Sequence, residues 1–229
     1  MIDVATNLQT LLNRIHSLEQ TYYRAPNSVS LLAVSKSQPA ALIKTLACAG
    51  QHDFGENYLK EALLKISALA DLGLSWHFIG PIQSKKASLI AQHFSWVHTV
   101  CRLKEAQLLS KHRPAELGDL NICIQIKLDE DPNRSGISLA DAPSLLLEIK
   151  DLPLLKVRGL MTIAPISDDV EKQRDYFAQL KTLFDKLNDK NQLDTLSMGM
   201  SDSLDAAIAA GSTMVRIGTA LFGARQTHN

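Results

Sequence analysis

Charge of one sign is what this chain most plainly lacks. Lys plus Arg and Asp plus Glu both number 24, so the formal net charge is zero. That balance argues against nucleic acid as the main partner, which would call for a basic surface. Cysteine is scarce as well. Cys48, Cys101 and Cys123 are odd in number, widely spaced and set among apolar residues. Such usage excludes a disulfide framework and points to buried, reduced thiols. No apolar run approaches bilayer-spanning length, and Met1-Ile-Asp-Val has neither a basic n-region nor an apolar h-region. A cytoplasmic protein with no membrane association is therefore expected. No Gly-x-Gly-x-x-Gly follows the first apolar strand, which weakens a dinucleotide-binding reading. His77, His93 and His98 lack metal-ligand spacing and are expected in the core or on the surface.

What is present is a regular beat. Val4, Leu8, Leu11, Leu12, Ile15, Leu18 and Tyr22 recur at three- and four-residue steps, which predicts an amphipathic helix over residues 3–24. Eight apolar strands follow, centred on residues 29–34, 53–57, 76–79, 96–99, 121–128, 156–163, 194–198 and 214–217. Helical patterns separate them, including 139–149 and 170–187. Ser201 stands where an N-cap belongs, and Gly211 where a helix closes. Alternating strands and helices predict a parallel sheet with crossover connections. Even spacing without linkers favours one α/β domain over residues 1–229, a closed (β/α)₈ barrel with an added N-terminal helix. A doubly wound sheet is the alternative.

Barrel strands open at their C-terminal ends on one mouth, and a phosphate site often follows the last two strands. The strand ends here are Lys36, Asn57, Gly80 with Gln83, Thr99, Lys127, Met161, Ser201, and Arg216 with Gly218 and Thr219. The stretches Leu196–Asp205 and Met214–Thr219 bring small residues and backbone N–H groups to an anion site. Strands one and eight are neighbours in a closed barrel. A phosphate at the last loops thus puts an attached aldehyde within reach of Lys36, whose neutral amine can form a Schiff base. Pyridoxal 5′-phosphate joins these two demands. Glu56 stands as a lone carboxylate, and Cys48 is expected to be core.

The chain resembles the pyridoxal-phosphate homeostasis proteins, whose fold is similar to the N-terminal barrel of alanine racemase. Leu32-Ala-Val-Ser-Lys36, Phe54-Gly-Glu-Asn57, Trp76–Gln83, Arg158–Met161, Ser197–Asp202 and Gly211–Thr219 carry the likeness. The resemblance implies Lys36 as the Schiff-base lysine. It implies a phosphate cradle of Ser201 with the backbone of Gly218 and Thr219, Arg216 facing the pyridine nitrogen, and Asn57 as a pocket residue. Lys85 and Arg134 depart from the family pattern, which has asparagine and lysine there. The implied activity is binding, buffering and delivery of pyridoxal phosphate by a monomer, with apoenzymes as recipients and no substantial turnover. Alanine racemase uses a second base from a C-terminal domain, which this chain, with six residues after Gly223, is expected to lack. An amino-acid racemase and a Schiff-base aldolase acting on a sugar phosphate remain as alternatives.

Overall fold

A computed structural model describes residues 3–129, 131, 134–165 and 169–223. Glu130, Pro132 and Asn133, residues 166–168 and both chain ends lie outside the described residues. Eight parallel strands form a closed barrel in sequence order. They are β1 (Ser30–Val34), β2 (Asp53–Glu56), β3 (Ser75–Phe78), β4 (Trp96–Val100), β5 (Leu120–Ile126), β6 (Leu155–Thr162), β7 (Thr195–Ser197) and β8 (Met214–Ile217). β8 returns to β1 with Ser30 opposite Met214 and Ala33 opposite Ile217, so the doubly wound alternative is excluded. Strands buried on both sides need continuous apolar runs, which is why Leu31-Leu32-Ala33 and Ile122-Cys123-Ile124 read without alternation.

The helices are α1 (Val4–Thr21), α2 (Ala40–Cys48), α3 (Leu59–Ala68), α4 (Ala87–His93), α5 (Leu103–His112), α6 (Ala142–Ile149), α7 (Val170–Asn191), α8 (Leu204–Ala209) and α9 (Thr219–Phe222). Asp3 caps α1 by accepting from Thr6 N at 3.1 Å. Val4, Leu8, Leu11 and Ile15 form its buried stripe. This helix packs beside α2, α8 and α9, across the junction where the last strand meets the first. Asn7 Nδ2 donates to Leu221 O at 3.0 Å, and Arg24 Nη1 to Ser212 O at 2.6 Å. The buried Glu19 carboxylate accepts from Val29 N at 2.8 Å and Asn27 N at 3.1 Å, satisfying donors on the way into β1. The added helix thus seals the barrel seam.

Three local expectations change. Cys48 is exposed. At 100° per residue it lies roughly 200° around α2 from Leu46, which is fully buried. Cys123 is buried as expected, and burial pushes its thiol up to about 12. Ser201 does not cap α8. It opens a one-turn 3₁₀ helix, Ser201–Ser203, which delays α8 to Leu204. The hydroxyl of Ser203 accepts from Met200 N at 3.1 Å. Finally, the helix expected from residue 139 begins at Ala142, with Pro143 in its first turn.

Candidate functional site

β1 ends in the turn Ser35-Lys36-Ser37, closed by Gln38 N donating to Ser35 O at 3.0 Å. Lys36 is half-buried there. Gly218, the residue after β8, lies against β1: a Cβ at that position would stand 3.3 Å from Val34 O. The first and last strands therefore deliver Lys36 and Gly218-Thr219 to adjoining loops. Thr219 opens α9 and is exposed. The loop after β7 is tied to the same region, because Arg216 N donates to Gly199 O at 3.0 Å. Ser201, half-buried, follows in that loop.

Asn57 comes from the opposite side of the seam, one residue beyond β2, and its Oδ1 is buried with no hydrogen-bond partner. Gly80 rests directly on it. A Cβ at Gly80 would lie 2.2 Å from Asn57 O, so only glycine lets the third loop sit on the second. Asn57 also lines a cavity of about 300 Å³ with Thr99, Gln125, Lys127, Arg134 and Ser135. The mouth thus has two sides. Lys36, Ser201, Arg216, Gly218 and Thr219 belong to β1, β7 and β8, while the cavity is walled from β2 through β6. Of the two departures from the family pattern, Lys85 is exposed in a 3₁₀ turn. Arg134 borders the cavity, where its Nη1 donates to Ile163 O at 3.1 Å and its Nε pairs with Asp129 at 3.3 Å.

Arg216 points into the barrel. Its Nη1 donates to Ser197 O at 2.8 Å and to Ser197 Oγ at 2.9 Å, and its Nη2 to Thr162 O at 2.7 Å. Burial lowers its pKa to about 10, which still leaves it charged at neutral pH. A line of polar groups continues from it across the barrel. Ser197 Oγ is 3.2 Å from His98 Nδ1, His98 Nε2 is 2.9 Å from His77 Nδ1, and His77 Nε2 is 3.0 Å from Asp53 Oδ1. A guanidinium only donates and an ionised carboxylate only accepts, and with burial keeping both imidazoles neutral this orients every proton in between. The serine hydroxyl donates to His98, His98 to His77, and His77 to Asp53, with both imidazoles neutral. Burial lowers both histidines, His98 further than His77, because His77 and Arg216 also act against its charge. Sequence reasoning left these histidines to the core or the surface and missed their connection. The available signal was a histidine at the third position of two successive strands, β3 and β4.

Glu56 is not a lone carboxylate. Its Oε1 accepts from Ser35 Oγ at 2.6 Å and from Lys65 Nζ at 2.7 Å, and all of this is buried. Burial pushes its carboxyl up, against the pull of the bonds from Lys65 and Ser35. Lys65, on α3, went unnoticed in the sequence because it reads there as a surface lysine in an amphipathic pattern.

The profile of the family described as alanine racemase, N-terminal domain, matches residues 6–226. The pyridoxal phosphate homeostasis protein of Pseudomonas aeruginosa is 52% identical over 225 residues, covering 98% of this chain and 97% of that protein. This chain belongs to that family. The homeostasis protein of Escherichia coli K12 is 46% identical over 229 residues, covering 98% of each. Among solved structures, PipY of Synechococcus elongatus with PLP bound has a TM-score of 0.84 at 37% identity. That likeness spans 96% of this chain and 100% of PipY. An alanine racemase of Clostridium difficile shares the fold, with a TM-score of 0.73 at 16% identity over 97% of this chain and 58% of the racemase.

Proposed function

We propose that this chain binds pyridoxal 5′-phosphate through Lys36 and holds it for delivery, rather than using it to turn over amino acids. The observation that carries the reading is the end-to-end likeness to PipY, a structure with PLP bound, at 37% identity. When bound, pyridoxal phosphate supplies an aldehyde that condenses with a primary amine, releasing one water. Lys36 Nζ is the amine in this reading. Ser201 Oγ and the N–H groups of Gly218 and Thr219 hold the phosphate, and Arg216 faces the ring nitrogen. The residues present fit such a group. Gly218 lies against Val34, two residues before Lys36, and the buried, unpartnered Asn57 Oδ1 offers an acceptor to a ligand donor.

Arg216 also argues for holding over turnover. A guanidinium opposite the ring nitrogen disfavours a proton there, since two positive charges would meet. Without that proton the ring withdraws electrons poorly, so proton abstraction from a bound amino acid gains little. The companion proposals are a cytoplasmic monomer working as one barrel, with pyridoxal-phosphate-dependent apoenzymes as recipients. They rest on the three free cysteines, which suit a reducing compartment, and on the homeostasis role named for its relatives.

Two measurements test this. With L- or D-alanine in deuterated water, exchange at Cα is expected to be negligible. Turnover of about 1–1000 per second, the ordinary enzyme range, would establish a racemase instead. Ser201→Ala removes one charge-assisted hydrogen bond to phosphate, worth about 1.5–3 kcal/mol, so affinity for the ligand is expected to fall about 10- to 100-fold. Affinity for pyridoxal without its phosphate should be unaltered by the same substitution. Equal weakening of both ligands would move the anion site away from the loop after β7.

A further inference from the structure

The turn that carries Lys36 is held by an ionic cluster of Glu56, at the end of β2, with Lys65 and Glu61 on α3. Lys65 Nζ has three donors, and three acceptors take them: Ser35 O at 2.7 Å, Glu56 Oε1 at 2.7 Å and Glu61 Oε1 at 2.5 Å. Glu61 Oε1 also accepts from Ser37 N at 2.7 Å. The residues on either side of Lys36 are therefore tied to the same point, one through its carbonyl and the other through its amide. Ser35 is bound to the cluster a second time, by its hydroxyl donating to Glu56 Oε1 at 2.6 Å. Ser37 has φ +61°, a left-handed conformation that a non-glycine residue adopts only at a cost of about 1–3 kcal/mol. The bonds to Ser35 and Ser37 hold the chain in that conformation.

A stability role alone accounts poorly for this arrangement. Burying a lysine ammonium and a carboxylate costs several kcal/mol per ion, and apolar residues of similar volume are often as stable or more so. Lys65 has 6% and Glu56 0% of its side chain exposed, and Glu56 Oε2 is left without a partner. What the cluster achieves, and an apolar patch would not, is to grip one carbonyl and one amide flanking a single residue.

We propose that Lys65, together with Glu56 and Glu61, is a positioning set for Lys36. It holds the turn so that the Lys36 amine is presented at the mouth, and it acts on covalent capture of the ligand without touching the phosphate. This rests on the reading of Lys36 given above. Reaction rates fall steeply when reacting groups are misplaced by about 1 Å. Loosening the turn should slow attachment while leaving the phosphate loops after β7 and β8 intact.

The test uses Glu61→Ala, at a side chain 31% exposed, and Lys65→Met. Apoprotein is mixed with pyridoxal phosphate, and the rise of visible absorption is followed by stopped flow. In parallel, thermal shift measures binding of pyridoxine 5′-phosphate, which has the phosphate and an alcohol in place of the aldehyde. Both variants are expected to attach the ligand roughly 10- to 100-fold more slowly than wild type while binding the alcohol analogue equally well. Attachment at the wild-type rate in Glu61→Ala would overturn the proposal. So would a parallel loss of attachment and analogue binding, which would mean general disruption of the mouth. Should Lys65→Met not fold, Glu61→Ala decides the matter alone. Failure of the underlying reading looks different, because wild type itself would then show no visible absorption and no borohydride-stable adduct on Lys36.

Discussion

Lys36→Ala is expected to abolish visible absorption with pyridoxal phosphate and to leave no borohydride-stable adduct on the corresponding peptide. The same variant should still be protected against heat by pyridoxal phosphate, because the phosphate is assigned to loops that Lys36 does not build. Pyridoxal without phosphate should give it no protection. The physical basis is a ligand held at two ends by independent means, a reversible covalent bond on β1 and hydrogen bonds after β7 and β8. The measurement is a melting curve with each ligand, together with peptide mapping after reduction. An adduct on another lysine, with Lys36 unmodified, would remove the central claim. Protection by pyridoxal equal to that by its phosphate ester would remove the assignment of the anion site.

Gly159→Ala is expected to have the largest effect on stability. β6 and β7 approach so closely here that a Cβ on Gly159 would lie 1.7 Å from Thr195 O, a backbone atom that no rotamer change moves. The strands must separate, and with them part of the closed barrel. Overpacking of this kind costs about 3 kcal/mol or more. For a chain of this size that corresponds to a fall in melting temperature of about 6 °C or more. Urea unfolding followed by circular dichroism reads the effect directly. A midpoint unchanged from wild type would show that β7 yields freely. In that case Ser197, which follows Thr195 by two residues and orients Arg216, would lose its claim to a rigid support.

The periodicities of the chain narrowed the fold to a closed barrel or a doubly wound sheet, and the pairing of β8 with β1 decided between them. Short apolar runs such as Leu31-Leu32-Ala33, bounded by turn residues, suit strands covered on both faces, and eight of them alternating with amphipathic helices leave few architectures open. The expected barrel mouth collected the strand-end residues and, with Lys36 beside an anion site, pointed to pyridoxal phosphate, the ligand present in the PipY structure; the family motifs then implied a role for each. The relatives bear out that likeness across nearly the whole chain. The boundaries were less legible where local geometry competes. An intervening 3₁₀ turn moved the start of α8 past Ser201, and the facing of a nine-residue helix put Cys48 outside despite its apolar neighbours.

The sequence by itself determined which residues end the strands, because hydrophobic period and turn residues are local properties carried by neighbours in the chain. Only the tertiary structure decided what lies beneath them. Lys65 reads as a surface lysine until α3 folds over β2 and brings it to Glu56 and the Ser35 carbonyl. His77 and His98 read as isolated histidines of core or surface until closure of the barrel sets β4 across from β7 and completes the line from Asp53 to Arg216. Buried charges and polar groups take their meaning from partners distant in sequence, since desolvation and hydrogen bonding depend on three-dimensional surroundings that no local pattern encodes.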